Sequence, residues 1–300
     1  MSNYVLSCCS TADLSAEHMR RRNISYVSFH FFLDEQEYLD DLWQSAFDDT
    51  LFYEKMKNGT DTSTSQVSIG EYCEYFTSFL REGNDILHVC LSSGLSGTYS
   101  SAMSGAALAL EDFPERKILI VDSLCASTGY GLFMDALADR RDEGMEMEEL
   151  RDWAEKNKLR LQHWFFSADL HWYVKGGRIS PLVGAVGEFF GICPVLQMDG
   201  AGRLVLDSKV RTKKKAVSKI GENMLKNAEN EENYSGKCYI CHSACPADAE
   251  AMASWIKKHF PDLNGDVEIY PVGPVIGSHT GPGTVAVFFW GKEREVKNEK

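Results

Sequence analysis

The residues best placed to do chemistry run from Ser92 to Thr98, Ser-Ser-Gly-Leu-Ser-Gly-Thr. They stand between a stretch that alternates as a strand (85–91) and an Ala- and Ser-rich helical stretch (98–110). Free backbone N–H groups at a helix N-terminus, with the helix dipole behind them, favour an anion, and the hydroxyls add donors. The same residues also suit a helix cap with a flexible turn. Nucleophilic catalysis is disfavoured: a hydrolase elbow needs Gly-x-Ser-x-Gly, and Thr98 holds the last position. Thr62-Ser63-Thr64-Ser65-Gln66 is a second hydroxyl cluster ahead of a helical stretch (69–80). Alone it reads as a capping segment, but as a second donor loop of the same sheet it can converge with the first on one oxyanion.

Residues 273–284 are glycine-rich and carry His279 between Ser278 and Thr280. Without a Gly-Lys-Ser/Thr ending the segment is not a nucleotide-binding P-loop; it offers a histidine on a turn with exposed amides. Basic side chains gather at Lys175-Gly-Gly-Arg178 and at Lys209-Val-Arg211. A guanidinium beside two glycines suits a carboxylate or phosphate, whereas the second run also reads as solvated surface. Cys238-Tyr-Ile-Cys241-His242 matches a haem-attachment spelling. A strand there sends Cys238 and Cys241 to opposite faces, and no second Cys-x-x-Cys completes a zinc site, so structural cysteines and no metal are expected. The apolar stretch 181–192, with Val183, Val186, Phe189 and Phe190, reads as a core helix that would also suit a lipid tail beside Arg178.

The elements that must hold these residues follow from periodicity. Strands at 4–9, 85–91 and 117–122 alternate with helices at 98–110 and 127–143, which predicts a parallel sheet with covering helices over residues 1–160. Strands at 163–166, 193–198 and 204–210, the last two joined by Asp199-Gly-Ala-Gly202, predict antiparallel hairpins. With helices at 213–228 and 247–259 and a strand at 284–290, they make a second α/β domain over residues 161–295. Acidic residues outnumber basic ones 44 to 31, a formal charge of −13, which disfavours nucleic acid. No apolar run is long enough to span a bilayer, and the opening residues lack the basic flank of an export signal, so a cytoplasmic location is expected.

Seven segments in order and spacing resemble the DegV family of bacterial fatty-acid-binding proteins. They are Ser10-Thr-Ala-Asp-Leu14, Thr64-Ser-Gln66, Ser92 to Tyr99, Val121-Asp-Ser123, Lys175 to Ser180, Lys209-Val-Arg211 and Gly277 to Gly283. The resemblance implies a two-domain α/β fold: a parallel-sheet N-terminal domain and a C-terminal α/β domain with a mixed or antiparallel sheet. It also implies a long-chain fatty acid between the domains as ligand, with no other cofactor. By motif position the carboxylate contacts fall on Ser63 and Ser96, with Thr64, Gly94 and a protonated His279 as further donors. Arg178 and Arg211 become the phosphate or partner contacts, and Val183, Val186, Phe189 and Phe190 the tail lining. The resemblance implies a carrier rather than an enzyme: a separate ATP-dependent fatty acid kinase subunit phosphorylates the bound carboxylate for phospholipid synthesis, with an acyltransferase at the membrane surface downstream. A serine acyl hydrolase using Ser96 and His279 is the alternative. Cys9 departs from the aspartate usual in the family, Ser63 from threonine and Val67 from proline.

Overall fold

The computed structural model describes residues 4–44, 48–181 and 192–297. Four strands, β1 (Tyr4–Cys9), β2 (Ser25–Val27), β6 (Asp85–Cys90) and β7 (Ile118–Asp122), form a parallel sheet in the order β2-β1-β6-β7. Parallel strands are covered on both faces and must be apolar on both, and from Ile86 to Cys90 every residue of β6 is buried.

A second sheet lies outside this pattern. Strands β3 (His30–Leu33), β4 (Gln36–Leu39) and β5 (Thr62–Ser65) pair antiparallel in the order β4-β3-β5. The hydroxyl run expected to be a loop of the parallel sheet is therefore a strand of another one. Threonine's branched Cβ suits a pleated surface, and Thr64 pairs with Phe31 across the ladder while Ser63 pairs with Phe32.

The third sheet comprises β8 (Leu161–Phe166), β9 (Cys193–Met198), β10 (Leu204–Val210), β11 (Cys238–His242), β12 (Glu268–Pro271) and β13 (Val285–Trp290), in the order β10-β9-β8-β13-β11-β12. Its pairs are antiparallel except β11 with β12. The expected mixed sheet and its β9–β10 hairpin are present. Alternation sorts its faces: Phe166, Cys238, Ile240 and Phe289 join one core cluster, and Phe165, Cys241, Ala286 and Phe288 join the other. Cys238 and Cys241 thus lie on opposite faces, as a strand requires.

The helices are α1 (Ala16–Arg21), α2 (Asp49–Lys57), α3 (Ile69–Arg81), α4 (Thr98–Asp112), α5 (Ser127–Asp142), α6 (Met147–Asn157), α7 (His171–Lys175), α8 (Lys213–Asn227), α9 (Pro246–His259) and α10 (Pro274–Thr280). Helix α10 replaces the turn expected around His279; Pro274 at its first position is preset for a helix. The periodicity predicts α5 as a cover for the parallel sheet, yet it also packs against β8, β11 and β13 of the mixed sheet. Its first three turns are buried all round, 11 of its 16 residues being buried. Gly129 and Gly131 permit the approach: a Cβ at Gly129 would meet Phe288 and His163, and one at Gly131 would meet Ala12 and Leu14.

One charged residue of α5 is buried in this junction. Asp135 accepts from His18 of α1 (3.1 Å) and from Tyr239 of β11 (3.1 Å), lies 2.9 Å from Arg22 Nε, and pairs with Lys237. Burial opposes its charge, but hydrogen bonds from His18 and Lys237 and the nearby cations outweigh that and hold its carboxyl well below the usual range. Replacing Asp135 by Asn is expected to lower stability by roughly 3 kcal/mol at pH 7, because it leaves cations facing an uncharged group. The wild-type contribution is fully present above the unfolded-state value of about 4 and is lost as pH falls through the lower folded value. Urea midpoints of both proteins at pH 7 and pH 3 test this; equal midpoints at pH 7 would refute it.

Candidate functional site: an apolar cavity with one cation at its rim

A cavity of about 480 Å³ opens between the three sheets, within the roughly 300–1,000 Å³ range of small-molecule sites. Leu91 and Leu95 line it from the loop after β6, Phe165, Ala286 and Phe288 from the mixed sheet, Met198 and Leu204 from the β9–β10 hairpin, and Val275 and Ile276 from α10. Phe165, Ala286 and Phe288 come from the one face of the mixed sheet that alternation turns towards the cavity.

Polar groups line the same cavity. Ser96 and Gly97 arrive from the turn before α4, Thr64, Ser65 and Gln66 from the end of β5, His279 and Thr280 from α10, and Arg178 from the segment after α7. Ser96 Oγ accepts from the Thr98 amide at the start of α4 (3.2 Å) and makes a long 3.4 Å contact to Gln66 Oε1, while Gln66 Nε2 donates to Ser101 Oγ (2.9 Å). Thr64 Oγ1 lies 2.7 Å from His279 Nε2. The two hydroxyl-bearing segments and the histidine thus converge on one place, although Gln66 and Ser96 stand 30 residues apart in the chain and Thr64 and His279 215.

His279 is neutral here, contrary to the protonated donor expected. Burial first, then the neighbouring Arg178 and Lys175, push it down to about 3. Its Nδ1 is buried without a hydrogen-bond partner among the described residues, facing Gly176, where an added Cβ would come within 2.3 Å of that nitrogen. The glycine lets the basic segment close over the ring. Arg178 donates to the Gly176 carbonyl, and burial lowers its pKa. Among the described residues it has no carboxylate partner and is the single formally charged side chain that lines the cavity. Lys175 next to it is already paired with Asp61.

Other expected residues fall elsewhere. Ser63 is exposed and does not line the cavity, because period-2 alternation turns it away when Thr64 points in. The Gly94 amide is taken by Ser92 Oγ (3.1 Å), and its Cα packs against the hairpin turn, where a Cβ would meet Ala201 O at 2.6 Å. Arg211 is exposed and outside the lining. Val183, Val186, Phe189 and Phe190 lie outside the described residues. Reading by residue type missed Gln66 as a lining group. It also missed Ser127, His163 and Tyr173, and Thr284 at the end of the glycine-rich segment that carries His279. The hydrolase alternative lacks its central contact, since His279 Nε2 is bonded to Thr64 and not to Ser96.

The model of the family described as "Uncharacterised protein, DegV family" matches residues 9–292. The chain belongs to the DegV family. A DegV domain-containing protein of Clostridium perfringens is 35% identical over 295 residues, covering 98% of this chain and 100% of that one. A solved DegV family protein from Thermus thermophilus, described by its fatty acid binding, superposes with a TM-score of 0.84 at 25% identity, covering 96% of this chain and 99% of that one. The fatty acid kinase (Fak) B3 protein of Streptococcus pneumoniae, solved with linoleic acid, shares the fold at a TM-score of 0.81 and 23% identity, covering 97% of this chain and 100% of that one. The two-domain α/β DegV fold, with its parallel and mixed sheets, is therefore the fold of this chain. No helix among the described residues is long and apolar enough to cross a membrane, and no group of three or more His, Cys, Asp or Glu side chains among them is arranged to hold a metal ion.

The neutral histidine is directly testable. In the folded protein the ring resonances of His279, followed by NMR, are expected to stay constant from pH 8 down to about 4.5, while an exposed histidine titrates near 6.5. Because its folded value lies below the unfolded one, the protein loses stability through this group as pH falls below about 6.5. A His279 midpoint near 6.5 would overturn the assignment.

Proposed function

We propose that this DegV-family chain binds one long-chain fatty acid in the cavity, with its carboxylate at Ser96, Thr64 and Arg178, and offers that carboxylate to a separate ATP-dependent kinase subunit. The observation that carries the reading is Arg178, a half-buried guanidinium without a carboxylate partner among the described residues, beside neutral hydroxyls on an otherwise apolar cavity. A desolvated cation favours an anion strongly, and the surrounding walls favour an alkyl chain. Burying a sixteen-carbon tail gains on the order of 10 kcal/mol before ordering costs, at about 0.8 kcal/mol per methylene. The tail supplies affinity and the polar rim supplies orientation.

The neutral His279 fits this arrangement. In the tautomer that carries its proton on Nε2, His279 donates to Thr64 and leaves the threonine hydroxyl to donate to the carboxylate, and no extra charge competes with Arg178. The chain's own part is binding and presentation. The kinase supplies ATP and metal, and the carboxylate oxygen attacks the γ-phosphorus to give an acyl phosphate and ADP. Arg211, exposed and outside the cavity, is assigned to contact with that partner or its phosphate. The product then serves phospholipid synthesis through an acyltransferase at the membrane surface.

Mass spectrometry of an organic extract of the freshly purified chain is expected to yield one fatty acid per protein. Ser96→Ala should weaken binding roughly 5-fold and Arg178→Gln roughly 10- to 100-fold, the range for lost neutral and charge-assisted hydrogen bonds. Ser63→Ala should leave binding unchanged. Unaltered affinity of both Ser96→Ala and Arg178→Gln in a fluorescent fatty acid displacement assay would remove the carboxylate from this site. For the kinase step, ATP, a kinase subunit and hydroxylamine should trap an acyl hydroxamate only when this chain is loaded; its absence would leave a binder without a presenting role.

A further inference from the structure

Two thiols end neighbouring strands beneath the Ser96 turn. Strands β1 and β6 run parallel and pair as far as Ser7 with His88; two residues on, at the strand ends, stand Cys9 and Cys90, where the Tyr130 hydroxyl bridges the Cys9 amide (3.0 Å) and the Val89 carbonyl. Ser7 and Cys9 of β1 and His88 and Cys90 of β6 turn to one side of the sheet, and a disulfide between the strand ends must span a Cα separation of about 4.4–6.8 Å. Both side chains are inaccessible to solvent, and each bears on the ionisation of the other. Both reach the Tyr72 hydroxyl: Cys9 Sγ lies 3.3 Å from it, and Cys90 is within its hydrogen-bonding influence.

The surroundings supply a base and a link to the cavity. His88 Nε2 lies 3.8 Å from the Cys9 sulfur; its Nδ1 is 2.9 Å from Ser7 Oγ, which is 2.7 Å from the hydroxyl of half-buried Tyr75. That chain of hydrogen bonds leads a proton from sulfur towards the surface. On the other side Tyr72 OH lies 2.8 Å from Thr98 Oγ1, and the Thr98 amide donates to Ser96 Oγ at 3.2 Å. A change at the sulfurs therefore reaches the carboxylate end of the cavity through two hydrogen-bonded residues. Burial first, then Cys9, pushes the Cys8 thiol up, and its side chain points to the other face of β1.

We propose that Cys9 and Cys90 form a reversible disulfide beneath the Ser96 turn, made by a hydroperoxide and undone by thiols, that weakens ligand binding in the cavity. Cys9, its proton passed to His88, attacks a peroxide oxygen to give a sulfenic acid and hydroxide. The Cys90 sulfur then displaces that oxygen as water, so that two thiols and one hydrogen peroxide become a disulfide and two waters. The oxidant is no larger than a few atoms and reaches the strand ends by local opening. In the disulfide both sulfurs lose their hydrogens, and Tyr72 loses the partners that orient its hydroxyl towards Thr98. The disulfide is independent of what the cavity holds; only its effect on binding rests on the fatty acid reading.

The full chain is treated with hydrogen peroxide, the remaining thiols are alkylated, and the digest is analysed by mass spectrometry. A linked pair of peptides carrying Cys9 and Cys90, two hydrogens lighter than the thiols, is expected. It should persist in Cys8→Ser, vanish in Cys90→Ser and be reversed by dithiothreitol. Affinity for a fluorescent fatty acid probe should fall roughly 3- to 10-fold on oxidation of wild type and Cys8→Ser, with no change for Cys90→Ser. Absence of the linked peptide in protein that keeps its native circular dichroism overturns the proposal. A linked peptide with unchanged probe affinity overturns the coupling to the cavity. If the reduced protein fails to bind the probe at all, the fatty acid reading falls, and the linkage is judged by the peptide alone.

Discussion

Helix α5 is the constraint on which the rest of the structure depends. A helix normally hides one stripe and shows the other to water; this one is enclosed by the parallel sheet's connections on one side and the mixed sheet on the other. Gly129 and Gly131 bring the layers close because neither presents a Cβ to Phe288 or to Ala12. The single acid buried on it, Asp135, is met by His18 and Lys237 from the two sides. The relative placement of the two sheets follows from that helix, and the cavity between them follows from their placement.

Enclosure also explains the electrostatics of the cavity. Away from water a charge is either neutralised or paired, so His279 and His163 both give up their protons: burial pushes His279 down to about 3 and His163 well below its ordinary value. Arg178 cannot follow, because a guanidinium does not deprotonate in proteins. It stays charged, half-buried and without a carboxylate partner among the described residues, and that imbalance distinguishes this cavity from a mere packing defect. For the ligand proposed above, the hydrophobic walls would favour an anion that brings apolar surface with it.

The hairpin turn between β9 and β10 shows how closely the two units are fitted. Asp199 Oδ1 accepts from the amides of Ala201 and Arg203, both at 2.9 Å, and shapes the turn. Ser92 Oγ then donates to Gly202 O (2.8 Å), and Arg294 Nη1 donates to Asp199 O (3.0 Å). The loop that opens α4 is thus held from the far sheet. A solved member of the family keeps the same architecture at 25% identity.

Much of this protein was legible in its residue order. Period-2 runs located β1, β6, β7, β9, β10 and β13 within a residue or so, the Asp199-Gly-Ala-Gly202 turn marked the hairpin, and strand alternation separated Cys238 from Cys241. The run of seven family-like segments pointed to the fold and to Ser96, Thr64, His279 and Arg178 as candidates. What one dimension did not contain was facing. Thr64 and Ser63 are chemically alike neighbours, and only the pairing of β5 with β3 turns the threonine towards the cavity and the serine to solvent. The charge of His279 was equally out of reach, because ionisation depends on the solvent excluded by elements distant in the chain. Local order of residues decides which elements form; the packing of those elements decides which side chains meet, which are dry, and which charge is left to attract a ligand.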